Sequence, residues 1–241
     1  MWGARRHPDR GITLIARGLA VAIIAAWAGE YIAAAVLGTW SVTYDLPLQL
    51  TDIVSVTSAL ALWTRRRRLV ELCYLWAMTA TLQAVLTPDL GHAFPSVYYF
   101  TYFIYHDCAV IGACLLVFGE RLHLQPGAVR RVYLTTLVWA CLSGLGDVIT
   151  GGNYMYLRAK PAQSSLVSIL GPWPWYVVIT VVVIAPVFLA LAWALAALIA
   201  HWDNHPPGRC RARELAAAAP GEAGVQIGQE SRSAGPLGRL K

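Results

Sequence analysis

Charge is what this sequence of 241 residues has least of: 13% of it is Asp, Glu, Lys or Arg, against about 25% in a soluble domain. That is too few charges to cover a surface facing water, which excludes an ordinary soluble globular protein. Cysteines are few and scattered. Cys73, Cys108, Cys114, Cys141 and Cys210 make no CxxC pair, and four of them lie in apolar runs, where a thiol acts as a small hydrophobe. Neither a disulfide framework nor a thiolate metal site is expected. There is no GxSxG elbow, no HExxH helix, no Walker A loop and no GxGxxG turn. The run Cys141-Leu142-Ser143-Gly144 does not supply a GxSG serine, and no carboxylates pair at fixed helical spacing. No cofactor or metal is expected. No motif repeats between the halves of the chain, which removes an inverted-repeat reading.

Long apolar runs are what the sequence does have. It is 57% hydrophobic with a mean hydropathy of +0.53. A membrane-spanning helix needs about 20 apolar residues. Such runs fall at about 14–37, 47–64, 69–87, 96–118, 132–150 and 173–200. The expected fold class is all-α: a polytopic membrane bundle of about six transmembrane helices. Residues 1–13 form an N-terminal segment, 14–201 the membrane domain and 202–241 a tail whose Pro, Gly, Ala, Arg and Glu lack periodicity and read as disordered. The first apolar run, Leu14 to about Trp40, outlasts the roughly 7–15 residues of a signal-peptide core and reads as a retained anchor.

The basic residues give the orientation. With the N-terminus inside, the cytoplasmic side carries Arg5, Arg6, Arg10, Arg17, Arg65 to Arg68, Arg121, Arg130, Arg131, Arg209, Arg211 and Arg213. The other side carries only Arg158 and Lys160. This positive-inside bias puts both termini in the cytoplasm of a cell-membrane protein. It also accounts for Arg65 to Arg68 as an anchor beside anionic headgroups, so the net charge of +6 does not imply a nucleic-acid partner. Membrane lipids are the expected partners. Trp40, Trp173 and Trp175 fall at outer ends, where interfacial aromatics belong.

Polar side chains inside spans tend to face a bundle interior or a wet cavity. Gln49, Thr51 and Asp52 open the second run, Gln83 lies near the outer end of the third, and His106 and Asp107 lie about two turns into the fourth. Asp147 and Asn153 flank the outer end of the fifth, with Tyr154 following. All sit at similar depth, which one cavity open to the outer leaflet would accommodate. Each also has a plainer reading. Thr51 can bond the Pro47 carbonyl four residues back, and Ser55 and Ser58 continue its face as a small-residue seam. Asp107 either orients His106 or caps a neighbour, and Glu30 either snorkels or lines the cavity. The chemistry such a set would serve is acyl transfer or ester hydrolysis: a hydroxyl needs a base, imidazole suits the task, and an amide such as Gln83 or Asn153 can hold an oxyanion.

The same residues carry a family resemblance. LPLQLTDI (Leu46 to Ile53), LQAVLTPDL (Leu82 to Leu90), NYMYLRAKP (Asn153 to Pro161) and LGPWPWY (Leu170 to Tyr176) resemble the YwaF-like bacterial integral membrane proteins, related to the eukaryotic transmembrane protein 164 family. The eukaryotic relatives are regarded as phospholipid acyltransferases with a cysteine nucleophile and a histidine base. They are similar to androgen-induced lipid ester hydrolases, which use threonine and histidine. Carried over by position, the resemblance implies Thr51 as nucleophile and His106 as base. Many members read LPLHLC where this chain reads LPLQLT, so Gln49 stands for a histidine and Thr51 for a cysteine; Asp107 stands where glycine is common. The expectation is a lipid acyl-ester hydrolase or acyltransferase. Its rivals are a transporter or small-molecule-binding protein using the same cavity, and a non-catalytic structural membrane protein.

Overall fold

A computed structural model describes residues 10–163 and 165–204. Among these residues there is no strand, and six helices form the bundle: α1 (Arg10–Val36), α2 (Leu50–Thr64), α3 (Arg67–Leu86), α4 (Val97–Gly119), α5 (Ala128–Thr150) and α6 (Trp175–His201). All but α2 are long and apolar enough to cross a membrane. At 15 residues α2 is roughly 22 Å long, short of a hydrocarbon core of roughly 30 Å. Its start, expected near 47, falls at Leu50. The Leu48 N–H turns back to the Leu46 carbonyl (2.7 Å), and Gln49 is extended as the N-cap (φ −67°, ψ 151°). The last helical segment continues to Asn204, past the boundary expected at 202. The rest of the expected tail, and residues 1–9 of the expected N-terminal segment, lie outside the described residues.

Local chemistry sets the helix ends. The chain leaves α1 through Gly38 (φ +66°), where Thr39 N–H reaches the Ala34 carbonyl (3.0 Å) and Gly38 N–H reaches that of Ala35 (3.3 Å). This is the left-handed exit that glycine adopts without strain. Helix α3 stops at Thr87 because Pro88 disfavours helical geometry in the residue before it. Ser96 caps α4 by accepting from Tyr98 N–H (3.3 Å). A wide π-helical turn, Thr180–Ile184, interrupts α6 just before Pro186, which cannot donate to the preceding turn. A second such turn, Ala77–Thr81, lies in α3.

The bundle has one basic end and one end rich in loops. At the basic end, Arg65 joins the short α2–α3 link to Glu120 beyond α4 (Nε–Oε2 2.7 Å, Nη2–Oε1 2.9 Å). Glu71, on α3 and almost fully buried, accepts from Arg131 on α5 (2.7 and 2.8 Å) and from Gln125 N–H (3.3 Å), with Arg68 alongside. Arg17 lies over the Trp63 ring. The arginine run therefore divides: Arg65 is a structural tie between helices, while Arg66, Arg67 and Arg68 are exposed, as an anchor requires. The opposite end holds the segments 37–49, 87–96 and 151–174. Trp40, Trp173 and Trp175 are exposed there. In the middle, α2 packs against α1, α3 and α4 through Ser55, Ser58, Ala59, Ala61 and Leu62, all buried. Gly112 on α4 lets this close approach occur, since a Cβ there would stand 2.8 Å from Leu62 Cδ1.

Removing the charge at Glu71 leaves three donors facing a neutral side chain. Because Arg131 keeps some solvent contact, Glu71→Gln is expected to cost about 1–3 kcal/mol, below the full penalty for breaking a buried pair. Thermal unfolding in detergent should show this loss, with exposed Arg130→Gln staying close to wild type.

Candidate functional site

A cavity of about 740 Å³ lies among all six helices, and its walls are of two kinds. One flank is polar: Glu30 from α1, Gln49 and Thr51 at the start of α2, Gln83 from α3, and Tyr102, Tyr105 and His106 from α4. The other is largely apolar, with Leu137 and Ala140 from α5 and Val177, Val181 and Phe188 from α6. A recess of about 70 Å³ adjoins the polar flank and shares Glu30, Tyr44, Asp45, Gln49, Thr51 and Tyr105 with the cavity; Tyr31 and Asp52 complete its lining.

Asp52 fixes the polar flank. Its Oδ1 accepts from Trp27 Nε1–H (2.9 Å) and Tyr31 O–H (2.8 Å), both on α1, and its Oδ2 accepts from the Gln49 backbone N–H (2.8 Å). One carboxylate thus caps α2 and ties it to α1. Thr51 follows in the first helical turn and is half-buried at the cavity wall. Its carbonyl accepts from Ser55 Oγ–H (2.8 Å), and among the described residues its hydroxyl makes no hydrogen bond. The bond to the Pro47 carbonyl is lost because Pro47 precedes the helix rather than lying one turn back in it.

His106 is 1% exposed and lies against the rings of Tyr102 and Tyr105. Its Nδ1 is 2.8 Å from the Tyr102 carbonyl oxygen. A carbonyl only accepts, so Nδ1 carries the proton and the neutral ring keeps its lone pair on Nε2. Nε2 is buried without a partner. The same logic orients Gln49. Its Oε1 accepts from Met155 N–H (2.8 Å), which leaves the amide NH₂ unspent. Gln83 is more committed, donating from Nε2 to Thr87 Oγ1 (2.8 Å).

The other expected site residues stand outside the cavity wall. Asp107 follows His106 on a helix, about 100° around its axis, so it does not orient the imidazole; the Tyr102 carbonyl does. Asp147 caps the end of α5 by accepting from Tyr154 N–H (2.6 Å). Asn153 organises its own loop, accepting from Arg158 and Ala159 N–H groups (both 2.9 Å) and donating to the Ala159 carbonyl (2.9 Å). Tyr154, fully buried, donates to the Val42 carbonyl (2.7 Å) and accepts from Leu46 N–H (3.1 Å). Tyr154 thereby clasps the 37–49 segment to the 151–174 segment, whose own fold Asp147 and Asn153 fix. Gly152 lies inside it, where a Cβ would come within 2.7 Å of the Thr43 carbonyl oxygen. Over the cavity, Tyr156 donates to Asp89 Oδ2 (2.9 Å). Burial first, and the Asp89 charge second, push the Tyr156 phenol up, so it remains a donor across the ordinary pH range.

Sequence reasoning passed over Tyr102 and Tyr105 and left Glu30 undecided. The usable signal was the spacing of Tyr98, Tyr102, Tyr105 and His106, which puts all four on one face of α4. Among the described residues no group of three or more His, Cys, Asp or Glu side chains could hold a metal ion. A family model described as the TMEM164 family matches residues 1–192. No curated protein and no solved structure matches the chain.

The two aspartates should separate in a stability measurement. Asp52→Ala strands the half-buried Trp27 and Tyr31 donors and the helix cap, an expected loss of about 2 kcal/mol. Asp107→Ala, outside the cavity wall, should stay within about 0.5 kcal/mol of wild type in the same thermal unfolding assay.

Proposed function

Since the chain belongs to the TMEM164 family, we propose that it is a membrane-embedded lipid acyl-ester hydrolase or acyltransferase, with Thr51 as nucleophile and His106 as general base. The observation that carries this reading is the state of the two side chains on one cavity wall. Among the described residues the Thr51 hydroxyl has no hydrogen-bond partner, and the imidazole is held in the tautomer whose Nε2, likewise unpartnered there, bears the lone pair.

In this mechanism the Thr51 oxygen attacks an ester carbonyl carbon as its proton passes to His106 Nε2. The tetrahedral oxyanion is stabilised by donors already in place. The Leu50 and Thr51 N–H groups at the start of α2 carry the helix's positive partial charge, and Gln49, the N-cap residue, adds its unspent amide NH₂. Gln49 therefore takes the role that the sequence reading gave to Gln83 or Asn153. On collapse, the alkoxide leaving group takes the proton from Nε2, leaving an acyl ester on Thr51. A second hydroxyl compound then gives its proton to Nε2 and attacks that ester, and the bond to the Thr51 oxygen breaks as that oxygen takes the proton back from Nε2. Water as this compound completes hydrolysis; a lipid alcohol completes transfer. The recess behind Thr51, polar and larger than a single water needs, provides for the first outcome.

Both termini are proposed to be cytoplasmic, from the arginine bias, with the loop-rich end of the cavity facing the outer leaflet of the cell membrane. The substrate would be reached from that leaflet. No nucleic acid partner enters this reading.

The test is turnover of fluorescent acyl-ester lipids by the purified protein in detergent or nanodiscs. Thr51→Ala and His106→Ala should each lose at least about a hundredfold in rate. Thr51→Ser, which keeps a hydroxyl, should retain measurable activity. Full turnover in either alanine variant sinks the proposal.

A further inference from the structure

Beyond Thr51 and His106 the cavity continues as a largely apolar limb between α3, α5 and α6. The Thr79 and Thr136 hydroxyls there donate to their own helices, and Thr180 is the one other threonine among the described lining residues of these helices. On α6 the lining extends from Val177 to Leu189, roughly 18 Å along the axis at about 1.5 Å per residue. On α3 it descends from Gln83 to Trp76 and on α5 from Ala140 to Tyr133, all toward the basic end. The limb is therefore long and parallel to the helices. Small side chains at Ala80, Ala84, Ala140 and Ala185 leave room along its length, whereas Trp76, Tyr133 and Phe188 close its far end.

The polar tips of that aromatic floor are already engaged. Trp76 Nε1–H donates to Thr136 Oγ1 (2.8 Å), joining α3 to α5. Tyr133 O–H donates to the Val181 carbonyl (3.1 Å), joining α5 to the π-helical turn of α6. What these residues offer a ligand is ring surface. Among the described residues no Lys or Arg lines the cavity, so no cationic side chain lines the limb to hold a phosphate. Among the described residues no other helix packs extensively against upper α6, Trp175–Ile184; side-chain bonds from Tyr133 and Tyr176 tether it.

We propose that this limb binds one straight fatty-acyl chain, with its carbonyl end at the Thr51–His106 flank, and that Trp76, Tyr133 and Phe188 form the floor that sets the accepted chain length. The identity of the ligand rests on the acyl-ester reading above. A compact ligand would leave most of the length empty, and an anionic headgroup would meet no cation. An acyl chain matches the length, the apolar walls and the single polar end.

The experiment uses the full-length protein in nanodiscs, a homologous series of straight-chain fatty acids competing against a fluorescent fatty acid, and acyl esters of the same lengths for turnover. Binding should tighten with each added methylene up to a limit. The next one should lose about tenfold, the scale on which an apolar pocket discriminates one methylene. Phe188→Ala should move the limit to longer chains, and Ala140→Leu, partway along the wall, to shorter ones. The opposite directions separate a ruler from general loss of fold, which a thermal midpoint checks in parallel. Movement of the limit without ester turnover supports the limb while removing the catalytic reading. Thr51-dependent turnover with a limit that neither variant moves overturns the limb and leaves catalysis standing. Absence of fatty-acid binding also overturns it.

Discussion

A polar backbone or side chain at membrane depth must find its partner inside the protein, because the hydrocarbon offers none. Asp52 is where this structure meets that demand most directly. Its carboxylate, 8% exposed, accepts from a tryptophan, a tyrosine and a backbone N–H, joining α1 to the N-terminus of α2. With this in place α2 can begin several residues later than its apolar run, leaving extended chain before it. That extended chain is covered by the 151–174 segment: Tyr154 supplies a donor and an acceptor to it, Met155 gives its N–H to Gln49, and Gly152 has no side chain to obstruct the Thr43 carbonyl.

The consequence is a short helix whose first turn opens into a cavity rather than into headgroups. Each polar residue near that turn acts through what its neighbour leaves unspent. The Met155 N–H consumes the Gln49 oxygen and leaves an amide NH₂. The Tyr102 carbonyl consumes the His106 Nδ1 proton and leaves a lone pair. Asp147 and Asn153 are consumed by local backbone and keep nothing for the cavity apart from the orphaned Asp147 Oδ2, which lies outside its wall. Aromatic rings around the imidazole and aliphatic side chains across from it give the two flanks their contrast, and a lipid ester has the same contrast within one molecule.

Much of this was legible in the sequence. Apolar run length gave the all-helical architecture, with five of the six runs falling on helices long and apolar enough to cross a membrane, because run length reports directly on the solvent around the chain. Four of the eight expected site residues, Gln49, Thr51, Gln83 and His106, came together because they sit at one depth on different helices. Depth was readable; azimuth was read poorly. Asp107 shares the depth of His106 yet points elsewhere, since successive residues turn by about 100°. The capping role of Asp147 depended on a loop folding back onto α5, and no local pattern encodes that. Asp52 was seen beside Thr51, but its anchoring role needed Trp27 and Tyr31, one turn apart on another helix. The arginine run, read only as an anchor, concealed the pairing of Arg65 with Glu120, a contact made across two helices.

The two departures from the family pattern at the head of α2 differ in kind. A glutamine amide and a neutral imidazole each offer one acceptor and at least one donor. Gln49 in place of histidine therefore keeps the bond made at this position, acceptance from the Met155 N–H, and still leaves a donor unspent. Threonine in place of cysteine is a chemical change. A thiol has an appreciable thiolate fraction near neutral pH and is intrinsically nucleophilic, whereas a hydroxyl becomes a nucleophile only as a base removes its proton. On the proposed reading the exchange shifts the demand onto His106, whose competence then depends on the Tyr102 carbonyl fixing its tautomer. A backbone acceptor suits that task. Unlike a carboxylate it brings no second charge into a site where any unpaired charge would be costly, and it cannot be lost by substituting a side chain.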